Sequence, residues 1–185
     1  MRCKHIITLL CLGMLNAMAQ AQGSGQELTT IKALDVARYM GTWYEIAKYP
    51  NRFQKKCVGE TRAEYRLEPD GTLQVINRCR QSSGEMQEAK GVARQLGEAT
   101  SAKLEVRFAP WWLSFLPSVW GNYWVIDLDK DYQLAAVSEP SREYLWVLSR
   151  TPKVDQKTYQ ELLRRLAEKG FDIKKLELTR QEGVL

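Results

Sequence analysis

The chain has 185 residues, 44% of them hydrophobic, and a formal net charge of +5. That is the size of one domain with enough apolar content for a core. Its 27 basic and 22 acidic residues are interleaved rather than gathered on one face, which argues against a nucleic-acid partner.

Residues 1–19 read as a signal peptide. Arg2, Lys4 and His5 form a positive head, residues 6–15 an apolar run, and Ala17-Met18-Ala19 a small-x-small cleavage site. Ala19-Gln20-Ala21 offers an equally acceptable cut after residue 21. The run is too short to span a bilayer. Cys11 follows the bulky Leu10, where a lipid-attachment site takes Gly or Ala, so no lipid anchor is expected. Cleavage removes the single histidine, His5, together with Cys3 and Cys11. The mature chain then has no imidazole for a catalytic triad or a histidine metal site. Losing Arg2 and Lys4 leaves 25 basic residues against 22 acidic, a net charge of +3.

Residues 20–33, polar and small around Gly23-Ser24-Gly25, read as a flexible leader to a domain at 34–185. After a helical lead-in at 35–40, Gly41-Thr42-Trp43-Tyr44-Glu45-Ile46-Ala47 opens the first strand, 43–49. A Gly before a bulky aromatic suits a crowded strand entrance where one large side chain plugs a core. The second strand, 58–67, alternates Thr61, Ala63, Tyr65 and Leu67 against Arg62, Glu64 and Arg66. Pro69-Asp70-Gly71 turns it into a third, where Leu73, Val75 and Asn77 oppose Gln74, Ile76 and Arg78. The fourth, 86–95, sets Ala89, Gly91 and Ala93 against Glu88, Lys90 and Arg94; such small residues leave room. The fifth places Ala102, Leu104, Val106 and Phe108 inside and Lys103, Glu105 and Arg107 outside.

Three further strands, 122–128, 133–138 and 144–149, are apolar on both faces and need cover on both. An amphipathic helix at 155–169 supplies it, with Tyr159, Leu162, Leu163, Leu166 and Ala167 on one stripe, Asp155 capping its start and Gly170 its end. Leu176 to Thr179 offers a short ninth strand. The count is an all-β protein: an eight-stranded up-and-down antiparallel β-barrel with one C-terminal helix packed outside. Eight closed strands leave an interior just able to hold one small ligand.

Cys57 and Cys79, the two cysteines of an exported chain, are expected to form a disulfide rather than act as reactive thiols. A hairpin centred on Pro69-Asp70-Gly71 sets Cys79 opposite Thr61, so the bridge requires the segment before Thr61 to bulge or curl back. A free thiolate at either position would instead open the way to an enzyme. Glu45 and Glu60 read as solvated or salt-bridged carboxylates, not as an acid–base pair.

Gly41-x-Trp43 near the start, with Arg150 ending the last barrel strand, resembles the signature of the lipocalins. Tyr123-Trp124-Val125-Ile126-Asp127-Leu128-Asp129 with Asp131-Tyr132, and residues 144–152, resemble the family's second and third motifs. Their wording is closest to bacterial lipocalins of the apolipoprotein D-like branch. The resemblance covers residues 34–179. It implies binding, storage or transport of a hydrophobic ligand, typically a fatty acid or lysophospholipid, by a non-enzymatic protein without cofactor or metal. It also implies a periplasmic setting, peripheral outer-membrane contact, and a monomer or homodimer.

Within that architecture Gly41, Trp43 and Arg150 are structural, the guanidinium lying over the indole at the barrel floor. Strand parity assigns Tyr65, Asn77, Leu104, Val106, Phe108, Tyr144 and Trp146 to the cavity, and Trp120 and Tyr123 are counted with them. Asn77, polar on an inner face, needs a neighbour, a water or a ligand as partner. The apolar segment from Trp111 to Trp120 reads as a lid or entrance rim, a dimer patch, or a membrane-interface foot.

Overall fold

The computed structural model describes residues 27–181. The signal peptide, both cleavage sites and Cys11 lie outside the described residues. The order of elements is α1 (Val36–Tyr39), β1 (Gly41–Lys48), β2 (Cys57–Leu67), β3 (Leu73–Gln81), β4 (Met86–Gln95), β5 (Lys103–Arg107), β6 (Gly121–Leu128), β7 (Leu134–Ser138), β8 (Leu145–Ser149), α2 (Gln156–Glu168) and β9 (Glu177–Leu178). Every strand pairs antiparallel with its sequence neighbour from β1 to β8, and β1 also pairs with β8, which closes an eight-stranded barrel. The expected architecture is therefore the observed one, helix and ninth strand included.

Two apolar layers arise from alternation. Inside the barrel lie Trp43, Ala63, Tyr65, Leu73, Val75, Leu104, Val125, Val137 and Leu148. Outside, Trp124, Ile126, Leu134, Ala136, Leu145 and Val147 are covered by Leu162 and Leu166 of α2. This is why β6 to β8 are apolar on both faces. Asp155 caps α2 by accepting from the Thr158 backbone N–H, and Gly170 (φ +87°) ends it. Residues 27–33, read as part of a flexible leader, are instead docked. Leu28 is buried against the outer layer, and the Ile31 N–H donates to the Val125 carbonyl at 3.0 Å. Their polar neighbours hid two apolar anchors.

The Cys57–Cys79 disulfide is present, with a Cα–Cα distance of 5.5 Å. Regular pairing holds as far as Arg62↔Arg78, and the register then shifts twice, between Arg62 and Gly59 and between Gly59 and Cys57. Glu60 takes a positive φ of 50° in this stretch. The bulge needed to bring the two cysteines together is thus built from Gly59 and its neighbours.

The barrel is sealed differently at its two ends. β1 and β2 pair only from Gly41↔Tyr65 to Tyr44↔Arg62 and then diverge. The segment after β9 fills the gap. The Thr179 N–H donates to the Ile46 carbonyl (2.9 Å), the Glu60 N–H to the Arg180 carbonyl (2.6 Å), and the Gln181 side chain to the Glu45 and Thr61 carbonyls (2.8 and 2.9 Å).

Candidate ligand-binding site

The floor of the barrel is an aromatic plug. Trp43 is 0% exposed, and its indole N–H donates to the Tyr39 carbonyl at 2.8 Å. The Arg150 guanidinium lies 4.0 Å over the ring and donates to the carbonyls of Arg38, Thr42 and Tyr132 at 2.8, 3.0 and 3.3 Å. A Cβ on Gly41 would come within 3.3 Å of Arg150 Nη1, and the residue has φ +94°, so this entrance needs glycine twice over.

Above the plug, three phenols share hydrogen bonds: Tyr123 Oη lies 2.9 Å from Tyr39 Oη and 3.0 Å from Tyr65 Oη. Burial pushes all three hydroxyls toward the protonated form, that of Tyr65 up to about 12. Tyr65, Tyr123 and the fully buried Leu104 therefore belong to the floor of the barrel. Tyr39, in the capped turn of α1, completes the floor and was not picked out from the sequence.

The upper wall is different. Trp146, Tyr144, Asn77, Ala89 and Val106 are only partly buried. Trp146 stacks on Tyr144 at 5.8 Å between ring centroids. Asn77 stands between Ala63 and Ala89 in register, and its side-chain amide has no hydrogen-bond partner among the described residues. Two small alanines stand beside an amide whose polar atoms are free to bond. Phe108, 45% exposed, lays its ring over Gly91, where a Cβ would come within 2.8 Å of it. The small residue at 91 therefore makes room for that ring.

Two residues absent from the sequence-based selection join this wall. Gln54, in the loop between β1 and β2, accepts from the Trp146 indole N–H (3.0 Å) and from Asn51 (2.7 Å), and donates to Glu45 (2.5 Å). Glu45 is 2% exposed and also accepts from the Thr179 hydroxyl at 2.5 Å. The expectation of a solvated or salt-bridged Glu45 is corrected: neutral donors hold it, and burial raises its pKa. Glu60 is, as expected, ion-paired, with Arg80. Glu45 sits two residues past Trp43 on an inward parity, a signal that was legible. Gln54 lies in a loop without periodicity, and no sequence signal marked it.

A raised folded-state pKa means that the Glu45 contribution to stability is full below its unfolded pKa and is lost as pH rises through the folded value. Glu45→Gln removes that loss while keeping the shape and an acceptor. The variant is expected to be more stable than the parent at pH 8, with the difference vanishing below about pH 4. Urea midpoints at the two pH values check this.

Trp120 requires a second correction. It lies one residue before β6, facing outward, with the guanidinium of Arg94 4.2 Å from its ring and that of Arg107 at 5.2 Å. Both arginines stand on the outer face, so Trp120 is not a cavity residue. The segment around it folds as two short 3-10 turns, Trp111–Leu113 and Pro117–Val119. Trp111 and Trp120 both reach the outer face, and Trp111, Trp112 and Phe115 are 80%, 58% and 76% exposed. It is Gln54 of the 49–56 loop, not this segment, that meets Trp146.

Two depressions lie on the outer surface. One, of about 410 Å³, runs between residues 30–32, β6 and α2, where Asp127 and Arg165 form a two-pronged ion pair at 2.8 and 2.9 Å. The other, of about 350 Å³, lies beneath Trp111. Among the described residues no cluster of His, Cys, Asp and Glu could hold a metal ion.

A closed eight-stranded barrel with an aromatic floor clamped by one arginine now stands beside a family match: the model of the lipocalin-like domain fits residues 34–181. The chain is a lipocalin. It is 46% identical over 158 residues to temperature-induced lipocalin-1 of Arabidopsis thaliana, covering 84% of each chain. It is 40% identical over 157 residues to the outer membrane lipoprotein Blc of Escherichia coli K12, again covering 84% of each. Apolipoprotein D of Mus musculus is 32% identical over 154 residues, covering 80% of this chain and 77% of that one. These relatives agree with the Blc and apolipoprotein D branch, and the lipocalin family binds small hydrophobic ligands.

Proposed function

We propose that this lipocalin binds, stores or carries a fatty acid or lysophospholipid in the upper half of its barrel, as an exported protein of the cell envelope. The observation that carries the reading is the half-buried inner wall, which holds the stacked Trp146 and Tyr144 and, on β3, an Asn77 between Ala63 and Ala89 whose amide has no partner among the described residues. Stacked rings give an acyl chain a flat apolar surface, and the Asn77 amide offers donors and an acceptor to a head group. At about 0.8 kcal/mol per buried CH₂, a long acyl chain supplies micromolar affinity after ordering costs. Export is supported by the positive head and apolar run of residues 1–19 and by the outer-membrane relative Blc. The function is one of binding rather than catalysis: the disulfide occupies both cysteines of the described residues, the thiols that an enzymatic reading needs.

Titration with oleate and with lysophosphatidylcholine, followed by Trp fluorescence, tests the proposal. One ligand per chain is expected, with affinity reduced roughly tenfold or more in Trp146→Ala. No saturable response to either lipid would sink it. A second reading, docking to a membrane through residues 111–120, is favoured by the exposed Trp111, Trp112 and Phe115. Blocking the upper barrel with Ala89→Trp separates the two, since docking survives it and lipid carriage does not.

A further inference from the structure

On the outer face of β2 to β5, basic side chains are matched to acids: Arg66 and Arg78 to Glu64, Arg78 and Lys90 to Glu88, Arg94 to Glu105. Arg62 and Lys103 lack such a partner among the described residues but are only partly buried; Arg107 lacks one and is buried. It is 7% exposed and among the described residues has no carboxylate partner, although an unpaired buried charge is costly. Its Nη1 donates to the Ala109 carbonyl, its Cζ lies 5.2 Å from the Trp120 ring centroid, and its Nε has no hydrogen-bond partner among the described residues. Arg107 also lines the outer cavity of about 350 Å³, together with Lys90, Thr72, Gln74, Glu68 and Trp111.

We infer that this cavity is an oxyanion site, separate from the barrel, that takes a phosphate group. The chemistry is complementary. Arg107 brings a planar guanidinium with unused N–H donors, and Lys90, which also pairs with Glu88, stands beside it on the neighbouring strand. The Gln74 amide adds a neutral donor, the Thr72 hydroxyl being already given to Asp70, and Trp111 walls the cavity with an indole. Glu68 is the one acid of the lining, and because Lys90 is shared with Glu88 just outside it, Arg107 is the cation left for an anion. A phosphate there completes an ion pair that the fold leaves open. Its source is either free phosphate or the phosphodiester of a lipid head group.

The Arg107 Nε–H is itself a probe. In ¹⁵N-labelled protein its signal is identified by its absence from Arg107→Gln. Inorganic phosphate at constant ionic strength is expected to shift it saturably, with chloride as control. Lys90→Gln is expected to weaken that binding roughly tenfold while leaving the fold intact. In parallel, protein is sedimented with phosphatidylglycerol vesicles. A saturable phosphate shift establishes a site for the free anion. Vesicle binding lost in Arg107→Gln, without a phosphate shift, assigns the anion to the lipid. A phosphate response matched by chloride, with vesicle binding absent or unchanged in both variants, overturns the inference. Oleate titration of each variant confirms that the barrel is intact.

Discussion

Trp43→Ala is expected to lower the stability of the domain by about 3–5 kcal/mol, the range for truncating a large buried aromatic side chain. Domain stabilities run at about 5–15 kcal/mol, so this one change removes a large share of the total. Several losses coincide. The indole fills the floor completely, with Tyr39 at 4.8 Å between ring centroids. Its N–H satisfies the Tyr39 carbonyl, and its face carries the Arg150 guanidinium. The variant leaves a cavity, an orphaned acceptor and a half-buried cation that has lost its stacking surface. A urea midpoint that falls with an unchanged slope is the expected reading. Trp146→Phe, on the partly exposed wall, is expected to cost less than about 1.5 kcal/mol and to act on ligand affinity instead. If Trp43→Ala melted like the parent, the floor would not be the keystone that its contacts describe.

Removing the disulfide is the second large effect. The bridge joins residues 22 apart, and the chain-entropy model values closure of such a loop at about 3 kcal/mol. A double Cys57→Ala, Cys79→Ala variant should melt roughly 6–12 °C below the oxidised parent. Reducing the parent should reproduce most of that drop. The loop contains β2 and β3 as far as Cys79, so the bridge pins the bulged top of β2 where it has left β1. A drop below about 2 °C would mean that the shifted register and the segment at 179–181 hold this edge without help.

Whatever a local period encodes was legible in the sequence. Side chains alternate along a strand, so Thr61, Ala63 and Tyr65, or Leu104 and Val106, declare their face from neighbours alone. The run of strands apolar on both sides pointed to the covering helix, and Asp155 and Gly170 marked its ends for local reasons of hydrogen bonding and backbone freedom. Trp146 and Asn77 were found in the same way, by counting from Trp43 and Arg150. This order of strands, turns and helix is a property of the amino-acid sequence by itself.

Tertiary structure alone decided the features in which the period breaks or a partner is remote. A bulge between Glu45 and Ala47 shifts the register against β8, so alternation counted from Trp43 misassigns the residues beyond Glu45. Glu45 is buried because Gln54 and Thr179, 9 and 134 residues away, converge on it, and no window of sequence contains both. Trp120 left the cavity because outward-facing Arg94 and Arg107 offered its ring two cations. Arg107 was rightly read as outward, yet it is buried, because the segment after it folds back over the sheet face. Parity tells which side of a strand a residue takes. Only the packing of loops and tail onto the barrel decides whether water, protein or a ligand meets it there.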